Sequence, residues 1–147
     1  MEFRRGVDFL VRPRSQVFLR PLLKAPSQPH RLENVRNRRI LATRLIPAFD
    51  SQSRRSGLLY YTTFDESSAM LIAPSNAVHT FFMRFPIDIA FTTRDGRIVK
   101  ACTAVKPWRI AASFRGSIAI ELPAGTLSRC ETRAGDSLVI LPAESSD

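Results

Sequence analysis

The segment 87–105, IDIAFTTRDGRIVKACTAV, predicts a β-hairpin and indicates the fold class of the chain. Every second residue from Ile87 to Phe91 is large and apolar, which is the pattern of a strand with two different faces. The pair Asp95-Gly96 follows, and Asp-Gly between two apolar runs is a strong hairpin signal because glycine readily adopts the positive φ of such a turn. Residues 98–105 then supply the returning strand.

Short apolar runs bounded by turn residues continue on both sides of this hairpin. They predict strands over residues 38–46, 69–73, 80–83, 117–122 and 137–141. A short helix is expected over residues 48–56, because Pro47 suits a first helical turn and Gly57 suits a helix end. Many short strands with frequent turn signals predict a mainly β fold, a small antiparallel β-barrel or sandwich with one or two short helices.

The positive charge of the chain is concentrated in its N-terminal third. Residues 1–55 hold 13 Lys and Arg against four acids, whereas the remainder holds nine of each, so the net charge of +9 lies entirely in the first part. Residues 1–33 also contain four prolines, which disfavour helices and central strands. We therefore expect a basic, disordered N-terminal arm over residues 1–33 and a single compact β domain over residues 34–147.

Cysteine usage and hydropathy do not point to export or to a membrane span. Cys102 and Cys130 are the only cysteines, too few for the disulfide framework of a small secreted protein, and we expect them to pack as reduced thiols. No apolar run has the length of a secretory leader or a transmembrane helix. These features favour a cytoplasmic protein.

The segment 79–91, HTFFMRFPIDIAF, resembles the signature of the family known as domain of unknown function 192. Three further elements resemble that family in the expected order, although the first is one residue shorter than usual and has Leu59 where Met is common. They are RSGLL at 55–59, VKPWR at 105–109, and ELPAG at 121–125 followed by Gly135-Asp136. The resemblance extends over about residues 35–141 and implies a compact, mostly β fold with one or two short helices. It implies no activity.

Three ionisable residues are candidates for catalysis: His79, Asp88 and Glu121. The ordinary pKa of histidine suits acid–base chemistry or metal ligation. Asp88 and Glu121 alternate with apolar residues on their strands, so a curled sheet would bring both acids to one polar side. One histidine and two carboxylates could also hold a cation. Because lone ionisable residues in β domains are mostly structural, we predict no bound metal or cofactor.

Arg84, Trp108 and Arg109 are candidates for ligand binding. Arginine presents a planar fork to a carboxylate or phosphate, and an indole presents a face to a ring or a cation. If Asp88 and Glu121 hold these arginines at one cleft, an anionic group can bind there. The structural alternative is an Arg–carboxylate network with Trp108 covering the core.

The sequence leaves three functional interpretations open. The first is a non-enzymatic module whose cleft accepts an anionic small molecule or a protein partner. The second is an enzyme that uses His79 with Asp88 or Glu121, with or without a metal. The third is a nucleic-acid-associated protein that acts through the basic arm, where solvation alone is the simpler role. No Walker loop, GxGxxG or Gly-x-Ser-x-Gly motif is present to support phosphoryl transfer, dinucleotide binding or acyl transfer.

Overall fold

The computed structural model describes residues 18–144, which form a mainly β domain with short helices. The helices are α1 (Arg20–Lys24), α2 (Ser51–Ser56) and α3 (Thr126–Arg129). The strands are β1 (His30–Asn34), β2 (Ile40–Ala42), β3 (Arg44–Ala48), β4 (Ser68–Ile72), β5 (Ala77–His79), β6 (Ile87–Thr92), β7 (Ile98–Val105), β8 (Ile110–Ala112), β9 (Ile118–Pro123) and β10 (Leu138–Pro142). Within the described range, no helix is long and apolar enough to cross a membrane.

The strands form three sheets. A five-stranded sheet has the order β3-β4-β9-β6-β7, a three-stranded sheet has the order β10-β1-β2, and β5 pairs with β8 in a two-stranded ribbon. The pairs are antiparallel except for β3–β4, which is parallel. The predicted fold class is confirmed in its sandwich form.

The three central strands of the five-stranded sheet are buried on both of their faces. Every residue of β4, β6 and β9 is buried, which explains why these strands are nearly continuous apolar runs. One face packs against the three-stranded sheet through a core that includes Leu32, Leu41, Leu71, Ile120 and Ile140. The opposite face packs against the segment after α2 and against the ribbon, through a core that includes Leu58, Met70, Met83, Ile89 and Phe91.

The hairpin predicted around Asp95-Gly96 joins β6 to β7. Gly96 has φ +92, as such a turn requires. A Cβ at this position would lie 2.6 Å from the Leu138 carbonyl oxygen and 2.8 Å from Cδ2 of Phe18. Gly96 therefore provides both the backbone conformation and the space into which β10 and the Phe18 ring pack.

Two local predictions were wrong in their details. The expected strand over residues 38–46 is divided at Thr43 into β2 and β3, which belong to different sheets. Residues 80–83 form a turn instead of a strand, and β5 ends just before them at His79. Both segments were apolar enough for strands, but apolar content alone does not show where a chain changes direction.

The helix predicted over residues 48–56 is shorter than expected. Ala48 belongs to β3, and the Asp50 side chain caps the helix by accepting a hydrogen bond from the Ser53 amide (2.8 Å). Gly57 ends the helix with φ +46, as predicted.

The described part of the predicted arm, residues 18–33, contributes to the folded domain. Phe18 and Leu22 are buried, and β1 is the middle strand of the three-stranded sheet. Of the described prolines, Pro26 and Pro29 lie between α1 and β1, and Pro21 lies in the first turn of α1, where its missing amide costs little. Residues 1–17 lie outside the described residues, and a basic arm there stays a prediction.

Candidate functional site

A cleft of about 890 Å³ opens on the face of the five-stranded sheet that carries α2 and the ribbon. One wall is α2 with the segment through Leu59, and the other is β5 with the loop before it. Glu121, Ile72 and Met83 also line the cleft, and all three are buried residues. A polar side chain therefore lies among apolar ones at the bottom of this cleft.

Glu121 is held there by its position in the sheet. On β9 it is opposite Met70 of β4 and Ile89 of β6, in the apolar layer beneath the cleft. Only 3% of the residue is exposed, and its Oε2 atom has no hydrogen-bond partner among the described residues. Burial raises the pKa of this carboxyl to about 7, because ionisation is unfavourable where water is excluded.

Gly57 leaves space above the Glu121 carboxyl. A Cβ at Gly57 would lie 4.0 Å from Oε2, and the glycine has none. A buried polar group without a partner normally costs about 1–3 kcal/mol of stability. The combination of an unpartnered oxygen and an open cleft distinguishes Glu121 from an ordinary structural acid.

Asp88 lies on the other face of the sheet, so the expected meeting of Asp88 and Glu121 was wrong. Asp88 is opposite Leu122 on β9, whereas Glu121 is opposite Ile89 on β6. Directly opposed residues in an antiparallel pair share a face, and neighbours along a strand do not. The sheet therefore separates the two acids, and they cannot jointly hold a cation or a substrate.

Asp88 has a structural role in which its carboxylate is fully used. Oδ1 accepts a hydrogen bond from the Ala104 amide (2.8 Å), and Oδ2 accepts from Leu127 (2.9 Å) and Gly125 (3.2 Å). Ala104 has φ +48 within β7, and Gly125 precedes α3. Asp88 thus fixes an irregular strand and the start of a helix from inside the core.

His79 lies at the end of β5, where it lines the same cleft as Glu121. Its ring is exposed and stacks on Phe81 with a centroid separation of 5.0 Å. No hydrogen bond joins His79 to Glu121 in the described part of the chain. Of the three catalytic candidates, His79 and Glu121 line one cleft without a hydrogen bond between them, and Asp88 does not line it.

The predicted ligand-binding residues Arg84, Trp108 and Arg109 do not line this cleft. Trp108 is 55% exposed, so it does not cover the core. Within residues 18–144 neither arginine forms an ion pair, and the expected network with Asp88 and Glu121 is absent there.

Arg54 and Arg55 are the arginines that line the cleft, and neither was predicted from the sequence as a ligand-binding residue. Arg54 donates to the Phe49 carbonyl (2.8 Å), and Arg55 donates to the Ser51 carbonyl (3.2 Å). Neither forms an ion pair with a carboxylate among the described residues. The available signal was RSGLL at 55–59, which places an arginine two residues before Gly57.

The cysteines have packing roles, as expected. Cys130 is buried, and its Sγ lies 3.4 Å from the Ile40 carbonyl oxygen. Burial raises the pKa of this thiol, which makes it a poor nucleophile. Among the residues that the structure describes, no group of three or more His, Cys, Asp or Glu side chains is placed to hold a metal ion.

Comparison with known proteins identifies the family and the fold. The family model DUF192, described as an uncharacterized ACR, matches residues 33–140 and confirms the resemblance of the sequence motifs. No curated protein matches. A Sinorhizobium meliloti 1021 protein described as "a putative transcription regulator" is similar in structure, with a TM-score of 0.66 and 24% identity, over 76% of this chain and 91% of that one. A protein of unknown function from Novosphingobium aromaticivorans has a TM-score of 0.65 and 18% identity, over 75% and 82%. At these identities the likeness concerns the fold alone.

Proposed function

Because the chain belongs to the DUF192 family, whose description names no activity, we propose from the cleft itself that the domain binds a small molecule with two polar ends. One end is a hydrogen-bond donor, such as an amine, that contacts Glu121. The other end is an anionic group that lies near Arg54 and Arg55. The single observation that carries this proposal is the buried, unpartnered Oε2 atom of Glu121 at the bottom of the cleft.

A donor on the ligand would supply what the Glu121 carboxyl lacks. An amine would also favour the ionised carboxylate, since an opposite charge at short range lowers the pKa of an acid. Charge-assisted hydrogen bonds are stronger than neutral ones, and water is largely excluded at this depth. Binding would therefore relieve a local cost of the unliganded fold.

The two arginines that line the cleft favour an anionic group on the ligand. Their guanidinium groups have no carboxylate partner within residues 18–144, so an anionic group would not have to displace one. The anion-accepting cleft inferred from sequence is retained here, with Arg54 and Arg55 in place of Arg84 and Arg109. Apolar residues such as Met83 and Ile72 would contact the chain between the two ends.

A second candidate function is proton transfer by Glu121. Its pKa of about 7 means that the carboxyl is partly protonated near neutral pH, which suits a general acid or base. His79 lines the same cleft and could orient a substrate. Turnover of a bound compound, lost in Glu121→Gln and retained in Asp95→Asn, would favour this enzyme over the binding module.

The binding proposal is tested with ω-amino carboxylates from glycine to 6-aminohexanoate and with phosphoethanolamine. The matched alkyl carboxylates and ethyl phosphate lack the amine. We expect at least one amine-bearing compound to raise the melting temperature, and its matched compound to have less effect. Native mass spectrometry would give the stoichiometry.

Variants locate the binding site. Glu121→Gln and the double substitution Arg54→Ala, Arg55→Ala should each remove most of the thermal shift, whereas Arg97→Ala, an exposed arginine outside the cleft, should not. A shift that survives Glu121→Gln, or no shift from any amine-bearing compound, would contradict the proposal.

A further inference from the structure

Four aromatic rings form a contiguous cluster at one end of the ribbon, in which three are stacked and Phe82 is tilted by 59° against Trp108. We call this cluster the aromatic platform. The His79 and Phe81 rings are 5.0 Å apart and Phe81 and Trp108 are 5.8 Å apart, each pair with an interplanar angle of 29°. Phe82 packs on Trp108 at 4.5 Å. Phe82 is 66% exposed and Trp108 is 55% exposed, although large aromatic side chains are usually mostly buried.

The backbone holds these two exposed rings in place at a cost. Phe82 has φ +64 and Trp108 has φ +67, a region that bulky L residues rarely adopt. Such conformations persist only where surrounding contacts enforce them, and they are concentrated at functional sites. The platform is therefore a maintained feature of the fold and not a consequence of loose loops.

Thr80 supplies the contacts that enforce this arrangement. Its hydroxyl donates to the Lys106 carbonyl (2.7 Å) and accepts from the Arg109 amide (2.9 Å). Its backbone carbonyl accepts from the Trp108 amide (3.0 Å), its amide donates to the Arg109 carbonyl (2.8 Å), and Thr80 itself is 1% exposed. One buried threonine thus locks the two loops that present the rings.

The surroundings of the platform are cationic. Arg84, Lys106 and Arg109 belong to the two loops, and all three are exposed. The sequence contains no Asp or Glu within residues 67–87 or within residues 96–120. Within residues 18–144 none of the three cations has a carboxylate partner.

We propose that the aromatic platform binds single-stranded nucleic acid, with bases stacked on Trp108 and Phe82 and phosphates near Arg84, Lys106 and Arg109. Exposed rings provide stacking faces for bases, and cations beside them attract the phosphates of the same strand. An acidic peptide would satisfy the cations but would leave the rings without a stacking partner. His79 and Phe81 of the platform also line the cleft, but this interaction does not use Glu121.

The test measures binding of fluorescein-labelled dT15 to the full chain by fluorescence anisotropy, beside an abasic phosphodiester of the same length and charge. We expect dT15 to bind more tightly than the abasic strand and to lose affinity steeply as salt rises. Trp108 is the only tryptophan of the chain, so stacking should also quench the intrinsic emission.

Glycine substitutions remove the rings without opposing the backbone. Trp108→Gly and Phe82→Gly suit the positive φ of these positions and should preserve the melting temperature. Each should weaken dT15 binding at least about fivefold, as expected for loss of one base-stacking contact. Tyr60→Ala removes a more exposed aromatic outside the platform, and Glu121→Gln alters the cleft; both should leave dT15 binding unchanged.

Three results would overturn the proposal. Equal affinity for dT15 and the abasic strand would show that charge alone binds, for example through basic residues elsewhere in the chain. Unchanged binding in folded Trp108→Gly would place the interaction at another site. Tighter, Trp108-dependent binding of polyglutamate or of phosphatidylglycerol vesicles than of dT15 would identify an acidic protein or a membrane surface as the partner.

Discussion

Asp88 and Glu121 lie on directly paired strands but on opposite faces of the same sheet. On one face, Asp88 accepts three backbone hydrogen bonds and has no exposed surface. On the other face, Glu121 is almost equally buried but has an unpartnered oxygen beside a cleft. Two acids at similar depth thus differ in what surrounds them, and this difference separates a structural group from a candidate functional one.

Asp88→Asn should destabilise the protein by about 2 kcal/mol or more without changing ligand binding in the cleft. The amide would replace one acceptor oxygen with a donor that faces backbone amides, so at least one of them would lose its partner. Urea denaturation of the variant, beside the exposed Asp95→Asn as control, measures the effect. Wild-type stability in Asp88→Asn would show that the β7 and α3 contacts do not depend on this carboxylate.

Glu121 should make the unliganded protein less stable as pH rises. An acid whose pKa is raised by folding binds its proton more tightly in the folded state. The pKa of Glu121 is about 4.3 in the unfolded chain and about 7 in the folded one, so the free energy of unfolding falls as pH rises through this interval. This difference in pKa corresponds to about 3–4 kcal/mol.

Glu121→Gln should abolish this dependence, because the amide does not ionise. The variant should have nearly wild-type stability at pH 5 and greater stability at pH 8, as measured by urea denaturation at both values. Parallel pH profiles of the two proteins would mean that the Glu121 carboxyl is solvated in solution.

The arrangement of the candidate site shows what sequence patterns could and could not provide. The alternation around Asp88 and Glu121 correctly indicated that each acid points to the face of the sheet away from its two apolar neighbours along the strand. That pattern predicts a polar face only when one face of the sheet meets water, and here both faces are buried. The register that places Asp88 opposite Leu122 is a tertiary property that neither strand specifies alone.

Local turn chemistry was more informative than the periodicity of side chains. Asp95-Gly96 and Gly57 were placed correctly because their signals are contained within a few residues. The arginines of the cleft were missed because Arg54 and Arg55 also suit the end of a helix, so their sequence context had a sufficient structural explanation.

Gly96→Ala should be more destabilising than Gly135→Ala. Both glycines have positive φ, at +92 and +97, so both substitutions introduce backbone strain of about 1 kcal/mol. Only at Gly96 would the new Cβ also overlap a backbone oxygen, 2.6 Å away, whereas nothing lies within 4 Å at Gly135. We expect Gly96→Ala to cost at least about 1 kcal/mol more in urea denaturation. Equal losses would indicate that β10 shifts freely away from the turn.

Deletion of residues 1–33 should abolish cooperative unfolding, whereas deletion of residues 1–17 should preserve it. The longer deletion removes four of the five residues of β1, which would leave β2 and β10 without their shared partner. It also removes the Phe18 ring, which is 2% exposed and packs beside Gly96. The shorter deletion retains every described residue and removes four of the arginines that make the N-terminal third basic. Circular dichroism melting of the two truncated proteins beside the full chain makes the comparison. A sharp transition at the wild-type temperature after the longer deletion would show that the five-stranded sheet and its cleft fold without β1, and would return the domain boundary to residue 34.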